Sequence, residues 1–146
     1  MLVFPRSVGG TWDVITGTFS HDVRAIDAVL EQVFTRVAVD PTRVSVVGFS
    51  DGGTYSLALG RINGDLFTKV VAYSPGFLTS GTPTGKPKIL ITHGTQDVVL
   101  PIDQTSRQIV PVLKNAGYEV DYREFNGPHA ISLELLGVAM AWVASR

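Results

Sequence analysis

Arg43-Val44-Ser45-Val46-Val47-Gly48-Phe49-Ser50-Asp51-Gly52-Gly53-Thr54-Tyr55 is the stretch from which the fold is read. Val44, Val46 and Val47 make a short apolar, β-branched run, which predicts a buried strand. Thr54 to Leu59 reads as a helix. Between them lies Gly48-Phe49-Ser50-Asp51-Gly52, a G-x-S-x-G pattern. The demand of that pattern is steric. A serine on a sharp strand-to-helix turn has a strained backbone, and neighbours without a Cβ let strand and helix approach closely. The turn pushes the Ser50 hydroxyl out over the end of the sheet. It also aims the first amides of the helix at whatever reacts there, where the dipole favours developing negative charge. The bland alternative is a glycine-rich connection with an idle serine. G-x-S-x-G alone is weak, but here it follows a β-branched strand and opens a helix, which is the context it requires.

Upstream, Leu2-Val3-Phe4 predicts a short buried strand ended by Pro5, and Ser7 to Thr18 a loop with Trp12 packed beneath it. From Ser20, the expected N-cap, Val23, Ile26, Val29/Leu30, Val33 and Val37 recur at helical spacing, with Asp22, Arg24, Asp27 and Glu31 off that stripe. Asp40-Pro41-Thr42 is a turn. Downstream, the helix after the serine runs to about Ile62 and stops at Asn63-Gly64, a left-handed signal. Lys69 to Tyr73 and Lys88 to Thr92 are buried strands, joined by a Gly, Pro, Ser and Thr-rich loop from Ser74 to Pro87. Asp103 to Ala116 is helical, with Pro111 predicting a kink or a late start. Tyr118 to Phe125 is a strand with one polar face, and Ile131 to Val143 the last helix. Strands and helices alternate throughout. The fold class is therefore α/β: a three-layer αβα sandwich around a mainly parallel sheet, as one domain over residues 1–146.

Composition agrees. The chain is 45% hydrophobic and 17% charged with a net charge of -1, and its mean hydropathy is +0.23. A globular core is well supplied. No basic patch points to nucleic acid, and no apolar run approaches a membrane span. Cysteine is absent, which removes disulfides, thiol catalysis and thiolate metal sites. Nothing in the motifs calls for a cofactor or metal. With no signal-peptide pattern, the cytoplasm is the expected compartment.

Open α/β sheets place ligands at the carboxyl ends of their strands. Ser50, Asp97 and His129 all fall there, in that chain order. Serine is a poor nucleophile at its own pKa. It needs an imidazole to accept its proton, and the imidazole needs a carboxylate to hold its tautomer. The competing partners are His21, before a helix start; His93, at a strand end; and Asp103, the rival acid, which is expected to cap the following helix.

Three segments carry a resemblance: Gly48-Phe49-Ser50-Asp51-Gly52-Gly53, His93-Gly94-Thr95-Gln96-Asp97-Val98-Val99-Leu100-Pro101, and Gly127-Pro128-His129. With them the chain resembles the α/β-hydrolase superfamily, and within it the phospholipase/carboxylesterase group of small lidless serine esterases. The resemblance implies Ser50 as nucleophile, His129 as general base and acid, Asp97 as orienter and the Asp51 backbone N–H as an oxyanion donor. It makes His93 structural. Phe49, Tyr73 and Phe77 are candidates for substrate binding, while Tyr55 reads as core.

The resemblance also implies a truncated relative. In the family a His-Gly strand lies between the strands matched by Leu2-Val3-Phe4 and Val44-Val47, and its loop supplies the second oxyanion N–H. The Arg6–Gly10 loop, with Gly9-Gly10, is the candidate substitute. An uncovered sheet edge at this place predicts a homo-oligomer, most simply a dimer, built on Met1 to Val37. The expected activity is hydrolysis of small short-acyl esters. The alternatives are a thioesterase or lysophospholipase-type hydrolase, or a non-catalytic binding or assembly module.

Overall fold

The computed structural model describes Met1–Ser145. Its centre is a four-stranded, all-parallel sheet in the order β1 (Ser45–Phe49), β2 (Lys69–Tyr73), β3 (Lys88–Gly94), β4 (Val120–Phe125). Four helices alternate with it: α1 (His21–Arg36), α2 (Asp51–Ile62), α3 (Ser106–Asn115) and α4 (Leu133–Ala144). Strand order follows chain order, so each crossover steps one strand along the sheet and all four carboxyl ends share one rim.

Side-chain alternation decides the layers. Val70, Ala72, Ile89 and Ile91 face α2 and α3 through Leu57, Ile109, Val110 and Leu113. Val71, Tyr73 and Leu90 point the other way, towards Ala139 and Leu136 of α4. β2 and β3 are buried on both faces, which is why they read as continuous apolar runs rather than alternating ones. α1 lies on the outer side of α2, where Ile26 joins Tyr55, Ala58 and Leu59. The expected αβα sandwich is thus present, with α2 and α3 on one face, α4 on the other, and α1 packed against α2 beside β1.

Several local expectations differ. Leu2-Val3-Phe4 forms no strand, and Leu2 and Phe4 are 75% and 85% exposed. A strand exists only through its ladder, and this segment pairs with no strand among the described residues. β1 is instead an edge strand. Val3 and Pro5 border an apolar cleft with Ile26, Val29, Leu30, Val46 and Val47.

Ser20 occupies the N-cap of α1, but its side chain makes no capping bond. The Asp13 carboxylate does the work, accepting from the amides of Ser20 and His21 at 2.8 Å and of Asp22 at 3.2 Å. Asp22, expected off the apolar stripe, is 1% exposed. α2 ends at Ile62, yet Asn63 has φ -121°, so the stop is not left-handed. The Asn63 amide group instead donates back to the Leu59 carbonyl at 3.1 Å. α3 starts at Ser106 after a 3-10 turn over Ile102–Gln104, and Pro111 sits inside it. Asp103 lies in that turn and pairs with Arg107 at 2.7 Å rather than capping α3.

Candidate active site

Ser50 sits between β1 and α2 with φ 56° and ψ -121°, a left-handed backbone that costs a residue with a Cβ about 1–3 kcal/mol. The surroundings hold it there. Its amide donates to the Tyr73 carbonyl at 2.9 Å, and its carbonyl accepts from the Thr54 amide at 3.0 Å. A Cβ on Gly48 would overlap the Gly52 carbonyl, so glycine at 48 is what lets the strand leave so close beneath the helix. Asp51 is the first residue of α2, and its amide lies at the positive end of the helix dipole.

Asp97 and His129 arrive from the opposite side of the rim. The loops that carry them are zipped together: Thr95 N–H donates to the Phe125 carbonyl at 2.8 Å and Gln96 N–H to the Gly127 carbonyl at 2.9 Å. Gly94 allows this approach, because a Cβ there would strike the Gly127 and Pro128 carbonyls. His129 Nε2 then lies 2.8 Å from Ser50 Oγ, and His129 Nδ1 lies 2.6 Å from Asp97 Oδ2. A carboxylate only accepts, so the proton of the neutral ring is on Nδ1. Nε2 presents a lone pair to the serine hydroxyl. Phe49 holds the imidazole from the side, with ring centroids 4.8 Å apart.

Asp97 is 5% exposed. Burial pushes its carboxyl up, but the Leu100 amide at 2.7 Å, the His129 imidazole and the Val99 amide at 2.9 Å outweigh it and hold the group below the usual carboxylate range. The carboxylate is therefore ionised at neutral pH, as an orienter of imidazole must be. In chemical terms the arrangement can take a proton from Ser50 and hand it to a leaving group.

The structure thus brings together Ser50, Asp97, His129, the Asp51 amide and Phe49. Tyr73 is not with them. It is 1% exposed, and its place in β2 turns the ring into the cluster with Val71, Leu90 and Ala139. It is a core residue, not a pocket wall. Phe77 is 42% exposed in the loop after β2. His21 is the exposed first residue of α1.

The Gly9–Trp12 loop is fastened by two carboxylates. Buried Asp22 accepts from the Val8 amide at 2.7 Å and the Asp13 amide at 2.6 Å. Asp51 accepts from the Thr11 hydroxyl. Trp12 stacks on Tyr55 with centroids 4.5 Å apart, and its indole Nε1 lies against Gly52. The Gly9 and Gly10 amides donate no hydrogen bond among the described residues. Sequence reading missed Asp22, because its partners lie 14 and 9 residues upstream and no local pattern marks them. Among the described residues no group of His, Cys, Asp and Glu is arranged to hold a metal ion, and no helix is long and apolar enough to cross a membrane.

Comparison with known proteins gives the same fold and family. Feruloyl esterase C of Emericella nidulans is 37% identical over 105 residues, which are 70% of this chain and 37% of that protein. The chain thus spans little more than a third of the length of the curated relatives it matches. Among solved structures, esterase PE8 superposes with a TM-score of 0.73 at 24% identity, over 84% of this chain and 59% of the other. The carboxylesterase of Bacillus cereus superposes with a TM-score of 0.70 at 18% identity, over 84% and 58%. The profile of the Phospholipase/Carboxylesterase family matches residues 14–144. Ser50, Asp97 and His129 all lie within that span, and the chain belongs to the phospholipase/carboxylesterase family of the α/β-hydrolase fold.

Proposed function

We propose that this chain is a serine carboxylesterase that hydrolyses small short-acyl esters through an acyl-Ser50 intermediate. One observation carries the reading: a continuous chain of hydrogen bonds runs from Ser50 Oγ through His129 to Asp97. His129 Nε2 takes the Ser50 proton as Oγ attacks the ester carbonyl, then gives it to the departing alkoxide. Water repeats the sequence in the other direction and releases the acid. Asp97 holds the ring and stabilises the imidazolium. The Asp51 N–H is the first oxyanion donor. The second is an amide of the Arg6–Gly10 loop. The Val8 amide is already taken by Asp22, and the Gly9-Gly10 backbone, without a Cβ, can approach most closely. Phe49 and Phe77 border the acyl group.

Labelling with a serine-directed fluorophosphonate tests the nucleophile. The expected result is stoichiometric modification of Ser50 and none in Ser50→Ala. An unlabelled, folded protein would instead support a non-catalytic binding or assembly module. A panel of p-nitrophenyl esters then reads acyl preference, with acetate and butyrate expected ahead of long chains, and with thioesters and lysophospholipids as the rival class. The likeness to proteins named feruloyl esterase C favours a second reading, an aromatic hydroxycinnamoyl group, so methyl ferulate belongs in the same panel.

We further propose that a second copy of the chain covers the β1 edge, giving a homodimer through the N-terminal region. What supports this is the exposure of Met1, Leu2, Phe4 and Val47 beside the apolar cleft that borders β1.

A further inference from the structure

The chain holds two Asn-Gly pairs, Asn63-Gly64 and Asn126-Gly127. In such a pair the glycine nitrogen can attack the asparagine side-chain carbonyl. No Cβ shields it, and the two groups are already on one chain. The fold treats the two pairs in opposite ways.

Asn63 is bolted down at the end of α2. Its backbone N–H and its side-chain amide both donate to the Leu59 carbonyl, at 2.9 and 3.1 Å. Its carbonyl accepts the Leu66 and Phe67 amides at 3.0 and 2.9 Å. The Gly64 N–H, the group that would attack, donates to the Thr84 hydroxyl at 3.2 Å. Asn126 directly follows β4 and is exposed in a bend. Among the described residues its side chain has no hydrogen-bond partner, and the Gly127 N–H donates to nothing. Glycine is also compulsory at this place, because a Cβ on residue 127 would lie 2.6 Å from Phe125 Cε2. The bend thus exposes an electrophile and leaves the neighbouring nitrogen free.

We propose that Asn126 is a site of spontaneous succinimide formation, and that its isoaspartate product switches off the site around Ser50. Gly127 N loses its proton to solvent and bonds to Asn126 Cγ. The Cγ–Nδ2 bond breaks, and ammonia leaves after taking a proton from solvent. Water then opens the five-membered ring at one of its two carbonyls. Opening at Cγ gives an aspartate with the backbone unchanged. Opening at the main-chain carbonyl gives isoaspartate, whose backbone runs through Cβ and Cγ and is one carbon longer.

That carbon, about 1.5 Å of extra bond, enters where there is no room. The Gly127 carbonyl accepts the Gln96 amide at 2.9 Å. The Gly127 and Pro128 carbonyls lie so near Gly94 that a Cβ there would overlap them. The displacement passes instead through Pro128 to His129, whose nitrogens lie 2.8 Å from Ser50 Oγ and 2.6 Å from Asp97 Oδ2. A misplacement of about 1 Å is enough to cost roughly 10²-fold in rate. Formation of the isoaspartate needs no catalytic activity; its effect on turnover rests on the esterase reading.

The experiment ages the folded protein in heavy-oxygen water at mildly alkaline pH and then maps its peptides by mass spectrometry. The Asn126 peptide should take up heavy oxygen and appear as aspartate and isoaspartate, while the Asn63 peptide stays unchanged. Equal conversion at both sites, or none at Asn126, overturns the assignment. In guanidinium the two sites should converge, and a difference that persists there would assign the selectivity to local sequence and not to the fold. These readouts ignore activity, so they stand apart from the esterase reading, which fluorophosphonate labelling of fresh protein tests. In the aged protein, labelling of Ser50 should fall in proportion to isoaspartate at position 126, with the circular dichroism spectrum unchanged. Asn126→Gln, which closes no five-membered ring, should keep its labelling rate through the same incubation. Asn126→Asp keeps the backbone length and should label like fresh wild type. A loss in that variant equal to the loss on ageing would place the effect in the charge and overturn the role of the added carbon. Full labelling of isoaspartate-containing protein would overturn the switch.

Discussion

The two edges of the sheet are built differently. β4 carries Asp121, Arg123 and Glu124, and all three are tied in ion pairs, with Arg107 of α3 reaching across to Glu124. Charged, half-exposed side chains on an edge strand discourage another strand from adding to it. β1 is Ser-Val-Val-Gly-Phe, without a charge, and Val47 is 42% exposed beside the apolar cleft. One edge is charged and ion-paired, and the other is uncharged and apolar. The candidate site spans the same divide. Asp97 and His129 stand on the β3–β4 side, where loops are zipped together by backbone bonds. Ser50 stands on the β1 side, where the neighbouring loop hangs on the carboxylates of Asp22 and Asp51.

The largest expected effect asks whether the divide matters to chemistry. Ser50→Ala on one side and His129→Ala on the other should each remove nearly all turnover, a loss on the order of 10⁴-fold or more. The double variant should be no worse, because the residues act as a unit. Steady-state hydrolysis of p-nitrophenyl acetate measures it, and additive losses would mean that the two sides work independently. Asp97→Asn should fall with them while Asp103→Asn stays near wild type, since Asp103 is bound to Arg107 and not to His129.

The second prediction concerns the tether. Asp22→Ala strips the partner from two amides, and should lower stability by about 1–3 kcal/mol in urea unfolding. It should also slow ester turnover by loosening the loop beside α2. Unchanged stability would show that Asp22 does not hold the β1 side together.

Third, the open edge can be given the guard that β4 already has. Val47→Lys should reduce the molecular mass in light scattering from dimer to monomer, with stability kept within about 0.5 kcal/mol, as for a typical surface substitution. A wild type that is already monomeric at micromolar concentration would remove the proposed dimer.

The smallest effect belongs to the charged edge. Arg107 holds the Glu124 carboxyl down to about 2. A depressed folded value stabilises the fold above the ordinary carboxylate value near 4.5, and that contribution is lost as pH falls through about 2. Glu124→Gln should therefore lower the thermal midpoint slightly near neutral pH, less near pH 2, and not at all well below it. A constant difference across that interval would assign the effect to packing.

Most of the sheet, and the residues that the fold gathers around Ser50, were legible in the sequence itself. Periodicity shows β2, β3 and their helices because burial on both faces leaves a local apolar signature. The turn at Ser50 is visible because only glycine tolerates the contact at Gly48. The Asp97 and His129 loops stand out by their motifs and their order along the chain, while Phe49, expected at a substrate, has its ring 4.8 Å from that of His129. Tyr73 was misplaced for a geometric reason: it ends a strand near the rim, but strand alternation sends its ring to the α4 face.

What the sequence by itself determined is what depends on neighbours a few residues away: the α/β alternation and the strained serine turn. The tertiary structure alone decided what depends on partners far along the chain. Leu2-Val3-Phe4 carries the apolar pattern of a strand, but with no ladder to join it stays exposed. Asp22 reads as surface and is buried, because the amides of Val8 and Asp13 fold back onto it. His93 reads as a strand end and becomes a wholly buried link, because the Leu100 carbonyl and the Ser106 hydroxyl, 7 and 13 residues on, reach its two nitrogens. A hydrogen bond requires two groups to meet, and periodicity describes only one of them.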